Sequence, residues 1–305
     1  MNNPLPKMSA ATAGSNSAPA GLALAYQRLR ERLARACIST PELDARLLVC
    51  EAAGIGHEQF VLEPARRLSP SQQARLESLA RRRMEGEPVS RIVGERAFWR
   101  HTFALGACLD PRPETETLVE AALSLLGNRA NQRLSILDLG TGSGCILLSL
   151  LGEFGKTWGL GSDVSAEALD VGRRNARLLG MDGRAAFLRT SWCRAIHGRF
   201  DLVLANPPYI ASGELDGLAP EVIRHDPMIA LDGGADGLDA YRDIIPEIPR
   251  LLAPDGWALF ELGEGQFDQV VPLFQDAGLG RDGPELRCFR DLAGIARCVA
   301  VRQPG

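Results

Sequence analysis

The chain has 305 residues, of which 45% are hydrophobic and 24% charged, as is usual for a globular protein of one large domain or of a large and a small one. Its net charge of −4 gives no overall attraction for nucleic acid or an anionic membrane, and its apolar runs are too short to span a bilayer. Seven scattered cysteines without a C-x-x-C pair favour free thiols in a reducing cytosol, and four dispersed histidines predict no metal cluster.

The first segment, residues 1–20, is rich in Ser, Ala, Asn and Pro, and Lys7 is its only charged side chain. It has neither the apolar core of a signal peptide nor the arginines of a transit peptide. We therefore expect a disordered leader and a cytoplasmic protein.

Residues 21–88 have a helical pattern that predicts a small bundle. One face of the first helix is marked by apolar residues at i, i+4, i+7 and i+11, namely Leu22, Tyr26, Leu29 and Leu33. Thr40 precedes a proline and is expected to cap a second helix with its hydroxyl group. Ser69 likewise begins a further helix, and Gln72 is placed to complete a capping box.

The bundle is basic while the rest of the chain is acidic. Between Gly21 and Gly94 there are twelve arginines and nine acidic residues. We assign residues 21–88 to a domain for substrate docking, since such a charge suits an acidic or RNA-associated partner. For the run Arg81–Arg83 taken alone, we favour the simpler interpretation of a solvated helix face.

Residues 89–113 are expected to form a linker that contains a β-hairpin between the two domains. Aromatic and apolar residues alternate here around Gly94 and Gly106, which is typical of paired strands joined by tight turns.

The segment Asp110–Glu116 reads DPRPETE, a rigid turn leading into a helix that we expect to close at Gly127. The prolines on both sides of Arg112 hold its guanidinium in a fixed direction. Two interpretations remain open for this side chain: a contact with substrate or a loop, and an ion pair with Glu114 or Glu116.

A glycine-rich turn comes directly after the next predicted strand, Leu134–Leu139. The turn comprises Gly140, Thr141, Gly142, Ser143 and Gly144, and a helix follows it. Glycines allow a ligand to approach the backbone closely, and the start of a helix offers free N–H groups. This pattern differs from the dinucleotide fingerprint and is a weak signal when taken alone.

The following unit strengthens the prediction of a nucleoside site. A second strand, Trp158–Asp163, ends in an acid 19 residues after Gly144, and a carboxylate there can accept both hydroxyls of a ribose. A third strand is expected at residues 185–188, and Trp192 lies shortly after it. Its flat ring suits contact with a base, although an ordinary core tryptophan is the alternative.

The most informative stretch is Asn206-Pro207-Pro208-Tyr209, which follows a buried strand at residues 200–205. Open α/β sheets bind ligands at this end of their strands. The prolines fix the backbone, while the side-chain carbonyl of Asn206 and the main-chain carbonyl of Pro207 can accept both hydrogens of a planar NH2 group. The alternative is a proline-rich turn with a capping Asn.

Three more strands complete the prediction. One spans residues 255–261 after a helix that buries Ile244, Ile248 and Leu251, and two lie near residues 286–289 and 295–301. Alternating strands and helices predict an α/β fold with a doubly wound, mostly parallel sheet of seven strands whose last strand is antiparallel. We assign residues 114–305 to this domain.

These motifs together resemble the release factor glutamine methyltransferase family (HemK/PrmC type), a family of class I S-adenosylmethionine-dependent methyltransferases. The resemblance spans roughly Tyr26 to the C-terminus. It rests on several separated motifs: RIVGERAFW, DPRPETETLVE, LDLGTGSGCILLSL, NPPYI and HDPMIALDGGADGLDAYRDII.

The resemblance implies N5-methylation of the glutamine side chain in the Gly-Gly-Gln motif of class 1 peptide chain release factors. The implied methyl donor is S-adenosyl-L-methionine and the product S-adenosyl-L-homocysteine, with no metal. We expect the protein to act as a monomer, without direct contact to nucleic acid or a membrane.

The resemblance also implies roles for individual residues. The family's cofactor positions correspond to Gly140, Gly142, Gly144, Asp163, Trp192 and Asn206, and we add Thr141 and Ser143 from the same turn. Asn206, Pro207, Pro208 and Tyr209 match the glutamine-binding motif. We expect Arg112 to assist substrate binding, and we assign catalysis to Asn206, Pro207 and Tyr209.

Two residues depart from the family pattern. Asp110 stands where an aliphatic residue is usual before the PRPETE turn. Ser191 stands where an acid often precedes the tryptophan, so that only a weaker neutral hydrogen bond to an adenine amino group is expected there.

Three other functions fit the sequence less well. A DNA or RNA adenine-N6 methyltransferase uses the same NPPY chemistry, but it grips phosphates and extracts a base, whereas this catalytic half is acidic and has no evident basic–aromatic patch. A glutamine methyltransferase acting on a ribosomal protein is disfavoured by the PRPETE turn, and a non-catalytic cofactor-binding regulator by the intact NPPY motif.

Overall fold

The computed structural model describes residues 21–280 and 285–305, so the expected leader at residues 1–20 lies outside the described residues. Contacts within the chain divide it into two compact units, one ending at Val93 and the other beginning at Gly94. Within the described residues, no helix combines the length and apolar character needed to cross a membrane.

The first unit consists of helices, as predicted. These are α1 (Leu22–Arg35), α2 (Pro41–Ala53), α3 (His57–Leu62), α4 (Pro70–Met84) and α5 (Val89–Val93). Three of the four predicted apolar positions of α1 are fully buried, and Tyr26 is half-buried with its ring edge against Phe60. Helical periodicity therefore located the first helix and its packed face correctly.

The two predicted helix caps have different outcomes. At α4 the Ser69 hydroxyl accepts the Gln72 N–H and the Gln72 side chain accepts the Ser69 N–H, which confirms the capping box. At α2 the predicted hydroxyl cap is wrong: the Thr40 hydroxyl instead donates to a carboxylate oxygen of Asp44, at 2.9 Å. A carboxylate one turn away outcompetes the backbone, because a charge-assisted hydrogen bond is the stronger one.

A buried ion pair joins two helices of the bundle. The Arg83 Nε atom donates to Asp44 at 2.7 Å, and these two side chains are only 6% and 2% exposed. The interpretation of Arg81–Arg83 as a solvated face is therefore wrong for Arg83. Helical geometry turns it inward while Arg81 stays at the surface.

We expect Asp44→Ala to destabilise the protein by about 3 kcal/mol, because it removes a buried carboxylate that pairs with the Arg83 guanidinium. Urea denaturation monitored by circular dichroism measures this effect. The matched control is Glu77→Ala at the exposed Arg32–Glu77 pair, whose side chains are 38% and 59% exposed. The control should cost less than about 1 kcal/mol; equal losses in the two variants would contradict this account.

The second unit begins with an antiparallel hairpin of β1 (Glu95–Phe98) and β2 (His101–Ala104). The strands of its large sheet are β3 (Ser135–Leu139), β4 (Trp158–Asp163), β5 (Ala185–Arg189), β6 (Phe200–Ala205), β7 (Leu252–Glu261), β8 (Leu286–Arg290) and β9 (Ala296–Arg302). Its helices are α6 (Glu116–Leu126), α7 (Cys145–Glu153), α8 (Ala166–Leu178), α9 (Pro220–His225), α10 (Asp239–Ile244), α11 (Ile248–Leu251) and α12 (Phe267–Asp276).

The large sheet has seven strands in the order β5-β4-β3-β6-β7-β9-β8. The pairs from β5 to β7 are parallel, and β9 runs antiparallel to both β7 and β8. This confirms the predicted doubly wound, mostly parallel sheet and its antiparallel last strand. The strands β3 and β6 are nearly continuous apolar runs because helices cover both faces of a parallel sheet.

One helix prediction in this unit needs correction. The helix expected to carry Ile244, Ile248 and Leu251 is divided into α10, a 3-10 turn and α11, because Pro246 and Pro249 each start a new segment. The predicted end of α6 at Gly127 is confirmed, although this glycine has a φ of −57° rather than a left-handed conformation, and a 3-10 turn continues to Arg129.

Candidate active site

Four residues that follow paired positions of the sheet form a row at its carboxyl edge. Leu139 of β3 pairs with Ser162 and Ala205, and Ala205 pairs with Phe260. The next residue along each strand is Gly140, Asp163, Asn206 and Glu261, respectively. Neighbouring strands lie about 4.8 Å apart, so the sheet brings the glycine turn, the predicted ribose acid, the NPPY motif and a further acid together.

The glycine turn adopts backbone conformations that favour glycine. Gly140, Gly142 and Gly144 have φ values of 70°, 53° and 78°. A Cβ atom at Gly140 would lie 3.3 Å from the Trp192 ring, whereas one at Gly144 would meet Leu148 inside the fold. The absence of a side chain at Gly140 therefore leaves room for the Trp192 ring beside the turn, whereas at Gly144 it leaves room for Leu148 inside the fold.

Asp163 ties the glycine turn to the start of α8. One of its carboxylate oxygens accepts the Gly142 N–H at 3.0 Å, and the other accepts the Ser165 N–H at 2.9 Å. Each oxygen retains a further lone pair, so the carboxylate can still accept hydrogen bonds from a ligand.

A cavity of about 410 Å³ opens at this edge, and we call it the glycine-turn cavity. The predicted site residues in its wall are Arg112, Gly140, Thr141, Gly142, Ser143, Asp163, Trp192, Asn206 and Pro208. Ser191 also lines it, so the residue that departs from the family pattern does face the cavity. Gly144 is absent from this wall, in keeping with its packing role.

A second cavity of about 260 Å³ lies beside the first, and we call it the NPPY cavity. The predicted residues Arg112, Asn206, Pro207 and Tyr209 line it, together with Glu114, Glu261 and Arg297. Arg112 and Asn206 belong to both walls. Asn206 therefore stands at the boundary between a cavity next to the glycine turn and one next to the tyrosine.

The Asn206 side-chain amide is held by a hydrogen bond within the protein. Its nitrogen donates to the Thr115 hydroxyl at 3.3 Å. With the nitrogen engaged in this way, the amide oxygen remains available as an acceptor. Such an arrangement suits a ligand that brings N–H donors.

Tyr209 completes one wall of the NPPY cavity. Its main-chain carbonyl accepts the Gln266 side-chain N–H at 2.9 Å, which fixes the backbone after the two prolines. Burial raises the pKa of its phenol to about 12, so that the hydroxyl stays protonated at neutral pH. The ring therefore offers a neutral apolar face rather than a base.

Arg112 contacts an acid that the sequence did not suggest. Its guanidinium donates to Asp226 at 2.6 Å, in the loop after α9. Of the two interpretations left open, the contact with a loop is therefore confirmed, and the ion pair is with Asp226 rather than with Glu114 or Glu116. The Glu116 carboxylate instead accepts the Trp99 main-chain N–H. Arg112 thereby fastens the loop that follows α9 next to both cavities.

Sequence reasoning missed two buried acids at this edge. Asp138 accepts a hydrogen bond from the Thr141 hydroxyl at 2.6 Å, and Glu261 lines the NPPY cavity. Burial is the main cause that raises the pKa of each carboxyl to about 7. The available signal was an acid inside or at the end of an apolar strand, since such a residue is expensive to bury without a purpose.

Among the side chains of residues 21–280 and 285–305, no group of three or more His, Cys, Asp or Glu residues is placed to hold a metal ion.

We expect Gly140→Ala to displace the Trp192 ring, because the new methyl group would lie 3.3 Å from it. Gly180→Ala is the matched control: Gly180 has a φ of 66° but open space around its Cβ position. Both variants should lose about 1–2 kcal/mol through backbone strain. Only Gly140→Ala should shift the tryptophan fluorescence, and an equal spectral change in Gly180→Ala would contradict the prediction.

Comparisons with known proteins place this architecture in a family. The family model for the PrmC N-terminal domain matches residues 25–94, and that for the methyltransferase small domain matches residues 116–235. In structure the chain is similar to the hMettl16 catalytic domain, with a TM-score of 0.53, 15% identity and coverage of 65% of this chain and 74% of that one. A similarity at this level of identity shows the fold alone.

Two relatives show the family. The release factor glutamine methyltransferase of Rhodospirillum rubrum is 46% identical over 273 residues, which cover 89% of this chain and 82% of the relative. The corresponding protein of Bradyrhizobium diazoefficiens is 45% identical over 281 residues, covering 92% of this chain and 94% of the relative. With its NPPY motif beside a glycine turn and such similarity along nearly its whole length, the chain belongs to the release factor glutamine methyltransferase family.

Proposed function

We propose that this protein transfers a methyl group from S-adenosyl-L-methionine to the glutamine side-chain nitrogen in the Gly-Gly-Gln motif of class 1 peptide chain release factors. Membership of the family supports the reaction and the substrate. The single structural observation that supports the proposal is the hydrogen bonding of the Asn206 amide. Its nitrogen is engaged by Thr115, and its oxygen is left as an acceptor where the two cavities meet.

The glycine-turn cavity is the proposed cofactor site. Asp163 keeps lone pairs for the ribose hydroxyls, the N–H groups of the turn suit the amino-acid end, and the Trp192 face suits the adenine. Thr141 and Ser143 belong to the same wall, and Gly144 supports it from inside. When bound, S-adenosyl-L-methionine supplies an electrophilic methyl group on a sulfonium.

The NPPY cavity is the proposed glutamine site. A primary amide nitrogen is a poor nucleophile because its lone pair is delocalised, so the protein must position it closely and stabilise the developing positive charge. The Asn206 side-chain oxygen and the Pro207 main-chain oxygen accept the two N–H bonds of the glutamine amide. Tyr209 packs against the amide plane and excludes water, while Pro208 keeps the backbone rigid.

No strong general base is required by this scheme. The two carbonyl acceptors are neutral, so they bind a neutral amide without burying a net charge, and the proton leaves to solvent after transfer. Arg112 contributes by fastening the loop at Asp226, which lies beside the glutamine site.

We further propose that residues 21–88 form a docking domain for the release factor, residues 89–113 a linker, and residues 114–305 the methyltransferase domain. The match of residues 25–94 to a separate family model supports a distinct N-terminal domain. We propose that the protein acts as a cytoplasmic monomer and contacts no nucleic acid directly.

The experiment that tests the proposed function is labelled methyl transfer to a purified class 1 release factor. A version with Gln→Ala in its Gly-Gly-Gln motif serves as the matched control, and duplex DNA and ribosomal protein are alternative substrates. We expect label on the unaltered factor alone. Label on DNA, on ribosomal protein or on the Gln→Ala factor would overturn the proposed substrate, and the absence of label everywhere would overturn the activity.

We expect Asn206→Ala to lower turnover by at least about 1,000-fold, because the nucleophile loses the acceptor that aims it. Binding of S-adenosyl-L-homocysteine, measured by isothermal titration calorimetry, should change by less than about 5-fold. Asp163→Ala is the opposite control and should weaken that binding by at least about 10-fold, through the lost ribose contacts. Near-normal turnover in Asn206→Ala would refute the role of the side chain.

A further inference from the structure

Asn175 of α8 is a fully buried polar side chain that takes no part in the reaction described above. Its side-chain oxygen accepts the Ala104 N–H at 2.8 Å. Its side-chain nitrogen donates to the Ala104 carbonyl at 3.1 Å and to the Ser143 carbonyl at 2.9 Å. One amide thus joins α8 to the last residue of β2 and to the glycine turn.

The contact with Ala104 holds the start of one wall of the glycine-turn cavity. Two residues further on, Gly106 lies so close to α8 that a Cβ atom there would be 2.5 Å from a methyl group of Val171. The chain then continues through residues 107–112, which we call the hairpin wall. The residues of this wall that line the cavity are Ala107, Cys108, Leu109, Pro111 and Arg112.

The contact with Ser143 holds the opposite wall. The Ser143 carbonyl belongs to the peptide bond before Gly144, and the N–H of that peptide bond donates to the Thr141 carbonyl at 2.8 Å. Helix α7 follows directly, and its first N–H groups have no partners within the helix. Asn175 therefore fixes the place where the glycine turn becomes the start of a helix.

The two walls come close to each other where Asn175 joins their ends. The Cys108 Cβ atom lies 3.9 Å from the position that a Cβ atom would take at Gly142. A small shift of the hairpin wall would therefore change the width of the cavity beside the glycine turn.

A primary amide is the group that satisfies all three partners of Asn175. One partner is a donor and two are acceptors, and an amide offers one carbonyl oxygen and two N–H bonds. An aspartate of the same size keeps the acceptor but has no hydrogen for either carbonyl, and a leucine has neither. Both hydrogens of the buried amide are used, so its burial leaves no donor without a partner.

We propose that Asn175 is a positioning residue that holds the hairpin wall against the glycine turn and thereby sets the affinity for the S-adenosyl cofactor. This inference rests on the proposed function, which assigns the cofactor to this cavity. Walls that are already held in place lose little conformational freedom when a ligand binds, so more of the contact free energy appears as affinity.

The first test measures binding of S-adenosyl-L-homocysteine by isothermal titration calorimetry. Asn175→Leu removes all three hydrogen bonds, and Asn175→Asp removes the two to carbonyls. We expect each variant to raise Kd about 10- to 100-fold, because the supporting contacts of the binding site are lost.

Arg184→Met is the matched control for a general loss of stability. The Arg184 guanidinium also donates to three main-chain carbonyls, but these lie at the far end of α7, away from the cavity: Leu151, Phe154 and Thr157. Circular dichroism establishes a temperature at which all the variants are folded. At that temperature Arg184→Met should leave Kd within about 2-fold, because the site is distant.

The second test moves the hairpin wall without altering Asn175. Gly106→Ala places a methyl group against Val171, whose side chain has little rotational freedom in a helix, so the following residues must shift. We expect Kd to rise about 10-fold, as for other overpacked sites. Val171→Ala removes the obstructing methyl group, so the double variant should bind within about 3-fold of the unaltered protein.

Unchanged Kd in the Asn175 variants, with the unaltered protein binding S-adenosyl-L-homocysteine, would overturn the inference and leave the proposed function intact. An equal loss in Arg184→Met would assign the effect to general destabilisation and would also overturn it. If neither Asn175 variant folds, the second test decides. A loss in Gly106→Ala that Val171→Ala reverses supports the inference, whereas normal binding, or a loss that is not reversed, overturns it. Absence of binding by the unaltered protein would reject the proposed cofactor site and this inference with it.

Discussion

The common register of four parallel strands is the constraint on which the site depends. Gly140, Asp163, Asn206 and Glu261 all follow residues that pair across β4, β3, β6 and β7. A shift of one residue in any strand would move its functional group out of this row and turn its side chains to the opposite face. The apolar strands, which pack on helices from both sides, hold that register. The packing that stabilises the core therefore also keeps the site residues in their positions.

Polar groups at this edge are costly to bury, and hydrogen bonds from neighbouring groups offset part of that cost. Asp163 receives backbone N–H groups from two sides, and Asp138 receives the Thr141 hydroxyl. In both cases a carboxylate oxygen accepts the hydrogen bond, so the donor group points towards it. The two acids thus hold residues of the glycine turn, which lines the larger cavity.

Much of the fold was predictable from local sequence. Apolar runs located the strands from β3 to β9, and the family resemblance drawn from motifs such as LDLGTGSGCILLSL and NPPYI is confirmed by relatives at 45–46% identity. The errors arose where a neighbouring group altered the local hydrogen bonding or the helix. The Thr40 hydroxyl donates to the Asp44 carboxylate instead of capping its helix, and Pro246 interrupts another predicted helix. The ligand roles of the site residues remain predictions, although the structure brings most of them to the walls of two adjoining cavities.

What sequence reasoning missed in the site depends on contacts between distant parts of the chain. Thr115 meets Asn206 across 91 positions, and Arg112 meets Asp226 across 114. A motif shows which residues are chemically able to act, but such partners become visible only when the sheet is assembled. Glu261 is a related case, because only its burial beside the NPPY cavity distinguishes it from an ordinary acid at the end of a strand.

The most direct measurement is a crystal structure of the protein with S-adenosyl-L-homocysteine and a peptide containing Gly-Gly-Gln. We predict that the glutamine amide nitrogen lies within about 3 Å of the Asn206 side-chain oxygen, and that the Asn206 nitrogen still donates to Thr115. A glutamine bound elsewhere, or one whose carbonyl oxygen accepts from the Asn206 NH2 group, would contradict it.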